Sequence, residues 1–418
     1  MRFKNLVALI AIFSLLMMVG CGGGSSSSSS GTTTASYVGT QTPGDYWSWI
    51  ETTDSSGAVN FTAANNTKNF SYSGSESRLT GNSAGLSKLN ITSSTDPNIT
   101  TPTSAYKLAI PNTMVLAAMA PFYTFNHSGQ VQLSIHGPVV AAAQSSCPTA
   151  SLTNVNWIVM PNDNWCPASG SALATGTCTS ASNAYGTAKI IFSGGAYAVT
   201  VTPYNLDGTN GTPVNLTSCT CSEGVIQCTD TNSNPVKIAF TPSGVFIMDT
   251  ANYGLVGVVQ PSSSITLTDF LSNGRTFKGM QFIPWDDYYD GCTTDSDCNN
   301  VYGISGGTCL NNHCGVPETC PISITADGTN LNALTYTNID SGTLNTSVAS
   351  VTFTYASQPS PGLITAQIIS PTTGCTTPGT FPIVMAVSQI NGKYVALVLS
   401  HTTCPTYDTP FNVLAIEQ

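Results

Sequence analysis

From Tyr37 to its end the chain is built of short segments in which apolar and polar residues alternate, separated by glycine, asparagine, serine and proline. Alternation at period two puts the apolar side chains on one face of a strand, and the interrupting residues adopt turn conformations at little cost. Ala58–Thr62, Phe70–Ser73 and Leu86–Thr92 are strands of this kind. Ala188–Phe192 and Tyr197–Thr202 flank Gly194-Gly195, Val236–Phe240 and Val245–Met248 flank Pro242-Ser243-Gly244, and Ile383–Gln389 and Tyr394–Leu399 flank Asn391-Gly392, so each pair predicts a hairpin. Asn273-Gly274 predicts a turn before Phe277–Ile283, and Asp-Gly-Thr-Asn predicts two more, at Asp207–Asn210 and Asp327–Asn330. Trp47-Ser48-Trp49 sends both rings to one face, the core face of a strand. Thr113–Ala120 is apolar without that alternation and predicts the one helical stretch. The fold class expected is all-β, antiparallel hairpins forming a barrel or a sandwich with a disulfide-rich loop insertion.

Ahead of Tyr37 the pattern changes. Arg2 and Lys4 precede an apolar run, Leu6–Val19, which ends on Gly20-Cys21. At 14 residues the run is short of the ~20 that span a bilayer, and it has the parts of a cleaved secretory signal. Met18-Val19-Gly20-Cys21 resembles the lipobox of bacterial lipoproteins. That resemblance implies cleavage before Cys21, acylation of Cys21 and, with no acidic residue following, an outer-membrane address. Gly22–Ala35 is almost wholly Gly, Ser and Thr, the composition of a flexible tether. The expected organisation is a signal peptide at 1–20, a tether at 21–36, a main β domain at 37–285, a Cys-rich acidic module at 286–320 and a C-terminal β segment at 321–418.

Composition narrows the partners. Only 8% of residues are charged, against about 25% in ordinary soluble domains, and the net charge is −10. Nucleic acid and bare anionic membrane surfaces are poor partners for such a chain. Fourteen cysteines in an exported protein point to disulfides. With Cys21 lipidated, the disulfide candidates fall in three groups: Cys147, Cys166, Cys178, Cys219, Cys221 and Cys228; Cys292, Cys298, Cys309, Cys314 and Cys320; and Cys375 and Cys404, which flank the clearest hairpin and are expected to pair. Thirteen is odd, so one cysteine is left over or pairs with another molecule.

Candidate chemistry concentrates in the middle group. Cys292-Thr-Thr-Asp-Ser-Asp-Cys298 resembles the Cys-x-x-Asp-x-Asp-Cys opening of small disulfide modules in exported proteins, which implies a stapled loop or a displayed recognition knob. Zinc at Cys309, His313 and Cys314 would need thiolates that an oxidising compartment removes. Asp286, Asp287, Asp290, Asp295 and Asp297 crowd five carboxylates together. Asp286, Asp290, Gly291 and Asp297 match positions 1, 5, 6 and 12 of a calcium loop, whereas Tyr288 fills position 3, where an oxygen ligand belongs. No cofactor is expected; calcium is the one candidate, and Asp side chains bonding their own loop is the competing reading. Trp285, Tyr288 and Tyr289, less easily buried beside those carboxylates, are the expected recognition surface.

Gly81-Asn82-Ser83-Ala84-Gly85 fits the Gly-x-Ser-x-Gly of hydrolases, but a strand follows it where a nucleophile elbow needs a helix. Gly303-Ile304-Ser305-Gly306-Gly307 resembles the Gly-x-Ser-Gly-Gly of chymotrypsin-like proteases without that family's Ala-His-Cys context. None of the four histidines, His127, His136, His313 and His401, lies in a base motif. The opening Tyr37–Trp47, together with Ser243-Gly244-Val245-Phe246 and Thr276-Phe277-Lys278-Gly279, resembles uncharacterised β-rich lipoproteins of metal-respiring bacterial envelopes. Gly44-Asp45-Tyr46-Trp47 before many strands is also similar to calycin barrels, which implies a hydrophobic ligand. The expected function is a lipid-anchored envelope protein, in the outer membrane, with a non-enzymatic binding or scaffolding role toward an unknown envelope or extracellular ligand. A barrel carrier of a hydrophobic ligand and an exported serine hydrolase using Ser83 or Ser305 are the alternatives.

Overall fold

Three successive antiparallel meanders follow one another along the chain, and each closes on itself. The computed structural model describes residues 31–41, 44–97, 99, 101–110, 113–118, 125–127, 130–133, 137–160, 185–204, 209–241, 244–250, 254–294, 296–297, 308–310, 313–344, 349–370, 379–401 and 410–418. Barrel one contains β1 (Thr33–Gln41), β2 (Asp45–Thr53), β3 (Val59–Asn65), β4 (Phe70–Arg78), β5 (Leu86–Ser94), β6 (Thr103–Ile110) and β7 (Met114–Ala118). A small ribbon follows, β8 (Phe125–His127) with β9 (Gln130–Leu133), and then β10 (Val139–Ala143) closes the ring against β1, with Thr40 opposite Val140. β1 opens at Thr33, inside the stretch read as tether, because Thr33 and Thr34 find strand partners in Thr53 and Thr52.

Barrel two is an uninterrupted meander of eight strands: β11 (Leu152–Met160), β12 (Tyr185–Ser193), β13 (Ala196–Pro203), β14 (Val214–Ser222), β15 (Val225–Thr229), β16 (Pro235–Phe240), β17 (Val245–Thr250) and β18 (Gly254–Val259), with β18 paired to β11. After a one-turn helix, α1 (Leu267–Phe270), come β19 (Thr276–Asp290), β20 (Thr308–Leu310), β21 (His313–Ala326), β22 (Asn330–Asn338), β23 (Thr343–Leu344), β24 (Ala349–Ser360), β25 (Leu363–Ser370), β26 (Gly379–Ile390), β27 (Lys393–His401) and β28 (Pro410–Glu417). The pairings β19–β28 and β21–β22 close this ten-stranded sheet into barrel three, leaving β20 and β23 as appendages.

The hairpins read from the sequence are present at β12–β13, β16–β17 and β26–β27. Asn391 and Gly392 turn the last with φ of 52° and 77°, the conformation that makes Asn-Gly a hairpin signal. Thr113–Ala120 is a correction. Its described part contains the strand β7, paired on both sides by β6 and β10. Both faces of a barrel strand can be buried, so it carries an unbroken apolar run that resembles a helix: Val115 and Ala117 join the interior of barrel one, whereas Met114 lies in a different apolar cluster.

Eight strands leave an interior just wide enough for side chains to fill. In barrel one Trp47, Trp49, Leu89, Ile91, Ala105 and Ala117 are all 0% exposed. Trp47 stacks on Tyr72 at 5.5 Å and Trp49 on Phe61 at 5.3 Å. A chamber able to admit even one water would leave accessible area on its lining, so these side chains are the filling. Barrel three is filled around Phe277, Ile364, Met385 and Val387, and α1 seats Phe270 against Phe277 at one end. Barrel two is packed with Val155, Ile190, Ile238, Phe246 and Leu255.

The outward residues of the same strands are used as well. Tyr106, Leu108 and Ile110 on β6 share one buried apolar cluster with Ile158 and Met160 of barrel two and Ile390 and Leu414 of barrel three. Three disulfides are described: Cys147–Cys221 ties the segment after β10 to β14, Cys219–Cys228 joins β14 to β15, and Cys292–Cys309 closes the loop after β19. Cys320 is buried in the wall of barrel three. Cys166, Cys178, Cys298, Cys375 and Cys404 lie outside the described residues, as do Cys21 and the signal segment.

Candidate recognition surface

Strand β19 runs unbroken through residues 285 and 286 and outgrows the barrel it belongs to. Its pairing with β28 ends at Phe282, opposite Asn412, whereas its pairing with β21 continues from Thr276 to Asp290, which faces His313. β21 meets β22 only from Ile322 onward, and β20 adds a third strand at Thr308–Leu310. The result is a three-stranded tongue continuing past the barrel wall, its tip closed by Cys292–Cys309. Trp285, Asp286, Tyr288, Tyr289 and Asp290 all lie on this extension, in one strand. The residues singled out from sequence as a recognition surface therefore occupy the part of barrel three that the barrel does not need for closure.

Asp297 answers the local question about the acidic residues. Its Oδ2 accepts hydrogen bonds from the Thr293 N–H at 2.8 Å, the Thr293 hydroxyl at 2.9 Å and the Thr294 N–H at 2.8 Å. Those donors hold its pKa down to about 2. The carboxylate is thus engaged with its own loop. Among the described residues no three His, Cys, Asp or Glu side chains are grouped to hold a metal ion. Asp295 lies outside them, as does Ser305.

Ser83 is in a seam between barrels. Gly81–Ser83 forms a single 3-10 turn between β4 and β5, and Ser83, 0% exposed, donates its hydroxyl to the carbonyl of Ile339 in barrel three at 2.5 Å. Asn82 donates to the Gly342 carbonyl at 3.0 Å. Gly342 has φ +69°, and a Cβ there would come within 3.3 Å of the Asn82 and Ser83 amides, so a side chain at the hairpin tip would strain the joint. Beside it Lys278 is buried with no carboxylate partner among the described residues. Its ammonium donates to the Asn82 carbonyl at 2.6 Å, the Tyr336 hydroxyl at 2.7 Å and the Ser323 hydroxyl at 2.8 Å, which uses all three protons. Burial lowers its pKa. The Gly-x-Ser-x-Gly sequence is accordingly a joint between barrels one and three. Ser83→Ala is expected to cost about 1 kcal/mol through the orphaned Ile339 carbonyl, read as a lowered melting temperature; an unchanged midpoint would remove the hydroxyl from the joint.

Two further polar groups went unread in the sequence. Thr40 of β1 donates to Asp249 of β17 at 2.7 Å, fixing barrel one to barrel two, while the Lys237 ammonium sits 3.8 Å above the Tyr46 ring. Gly254 makes room: a Cβ there would come within 2.4 Å of the Thr40 hydroxyl. Burial raises the Asp249 pKa to about 7, with Asp45 adding to the rise and Thr40 and Lys237 opposing it. Inside barrel one, Lys107 lies between Glu51, at 2.6 Å, and Glu76, and the Trp49 indole N–H also donates to Glu51, at 3.0 Å. The available signal was a lone charge inside an apolar strand, as in Ala105-Tyr106-Lys107-Leu108 and Ile247-Met248-Asp249.

No protein-family model matches the chain, and no curated protein matches it. Among solved structures it is similar to a crystal structure of a double mutant of transferrin binding protein B, a vaccine antigen from Haemophilus parasuis Hp5, at 7% identity over 92% of this chain and 76% of that one, with a TM-score of 0.22. A score that low does not establish a shared fold, and the three-barrel architecture rests on this chain's own strand pairing.

Proposed function

We propose that this is a lipid-anchored envelope protein, held at the outer membrane through Cys21, whose role is non-enzymatic binding or scaffolding and whose recognition element is the tongue bearing Trp285, Tyr288 and Tyr289. The observation that carries the reading is how the rest of the molecule is used. The barrel interiors are filled by their own side chains, and the polar groups of the Ser83 motif are consumed in a joint between barrels. A filled eight-stranded barrel offers no chamber for a carried hydrophobic ligand. What remains for a partner is the outside, and the tongue is the element that closure of barrel three leaves over.

A photo-crosslinking amino acid at position 288, introduced in the full-length protein in its native cells, tests this. A discrete adduct in the envelope fraction, lost when Trp285→Ala and Tyr289→Ala are added, is the expected result. No adduct above that of a probe placed at exposed Asn60, on β3, would overturn the tongue as recognition element. Retention of the Cys21→Ser variant in the membrane fraction would overturn the anchor.

A further inference from the structure

Between barrels two and three the linker 259–265 and the β26–β27 hairpin enclose a cleft of about 420 Å³, within the range of small-ligand sites. Its lining is mostly hydroxyl and amide. Ser262, Ser263, Ser264, Ser388 and Gln389 line it, together with Asp269 and Tyr394. Ser388 is the telling residue. It is 4% exposed, yet among the described residues its hydroxyl has no protein partner and is not one of the fully enclosed unsatisfied atoms. The small area it keeps therefore opens into the cleft. That hydroxyl is therefore free to bond whatever fills the cleft, water or a ligand. Among the described residues the three linker serines and the Gln389 side-chain amide likewise have no hydrogen-bond partner.

The remaining groups define what fits. Arg275 is drawn away by Glu417 at 2.5 Å and lies over the Tyr394 ring at 4.3 Å, so the cleft presents no free cation for a phosphate or sulfate. Asp269 is the one carboxylate, and its Oδ2 already accepts from Thr266 at 2.6 Å. The aliphatic members, Val259, Pro261 and Ile265, are too few to hold a lipid chain. Hydroxyls, amides, one carboxylate and a phenol are the donors and acceptors that recognise vicinal hydroxyl groups. We propose that this cleft is a binding site for a neutral carbohydrate, separate from the tongue.

Isothermal titration of the purified mature chain with cellohexaose, maltohexaose and the N-acetylglucosamine hexamer tests it. At least one is expected to bind at sub-millimolar affinity, with Gln389→Ala and Ser388→Val each weakening it tenfold or more at unchanged melting temperature. Gln389 is exposed, so its variant reports even if Ser388→Val perturbs the fold. Absence of binding by all three sugars, or binding indifferent to Gln389→Ala, would overturn the proposal, and so would tighter binding of a sulfated oligosaccharide. Trp285→Ala should leave sugar binding intact, which keeps this result independent of the tongue.

Discussion

Lys107→Met is expected to destabilise the protein by about 3–5 kcal/mol, measured by urea or thermal unfolding. Lys107 is buried inside barrel one between two carboxylates, with side-chain exposures of 5% for the lysine, 12% for Glu51 and 8% for Glu76. Removing the cation leaves two like charges facing each other where water cannot screen them. The loss does not measure what the triad contributes, because charges brought together in the interior have already given up their hydration. The triple variant Glu51→Gln, Glu76→Gln, Lys107→Met separates the two quantities, and most of the lost stability should return. If Lys107→Met alone lies within about 1 kcal/mol of wild type, the triad is solvated and the barrel mouth is open.

Asp249→Asn is expected to do the opposite, and only at neutral to alkaline pH. With a folded pKa of about 7, raised from the ordinary carboxylate value of 3.8, the fold keeps a proton that the unfolded chain releases. Stability therefore falls as pH rises between about 4 and 7, and the whole cost is present above that window. Three units at about 1.4 kcal/mol each give a ceiling of about 4 kcal/mol. Asparagine retains an acceptor for Thr40 and has no charge to bury, so the variant should match wild type at pH 4, surpass it at pH 8 and lose the slope between. Thr40→Val removes a hydrogen bond that favours the carboxylate, and should move the window upward. A wild-type slope surviving in Asp249→Asn would assign the pH dependence to another group.

The difference between these two sites and the rest of the fold lies in sequence distance. Strand positions were readable because period-two alternation and turn residues are local: Trp47 and Trp49 point inward as their spacing requires, and Asn391-Gly392 turns as its chemistry requires. The choice between barrel and sandwich depends on whether the first strand of each meander meets the last, as Thr40 meets Val140, and no local pattern records that. Lys107 stood out as a charge in an apolar run, yet its partners come from β2 and β4, strands that are not its neighbours in the sheet. Ser83 misled for the same reason. Its motif is local, whereas the Ile339 carbonyl that engages it belongs to another barrel. The tongue was legible as a module from its cysteines and carboxylates, but its length came only from the unequal pairing of β19 with β21 and β28.

First-to-last closure also sets a timetable. On a chain synthesised from its N-terminus, β1 has one edge unsatisfied until β10 emerges, and β11 waits likewise for β18. The entropy of bringing those distant ends together is spent before any closing contact rewards it, so each ring is expected to form slowly, with an open edge available to wrong partners meanwhile. Because the rings are consecutive rather than interleaved, that exposure comes in three short instalments. Barrel one can be complete before the first strand of barrel three has emerged, and the Ser83 joint, which needs both, forms last.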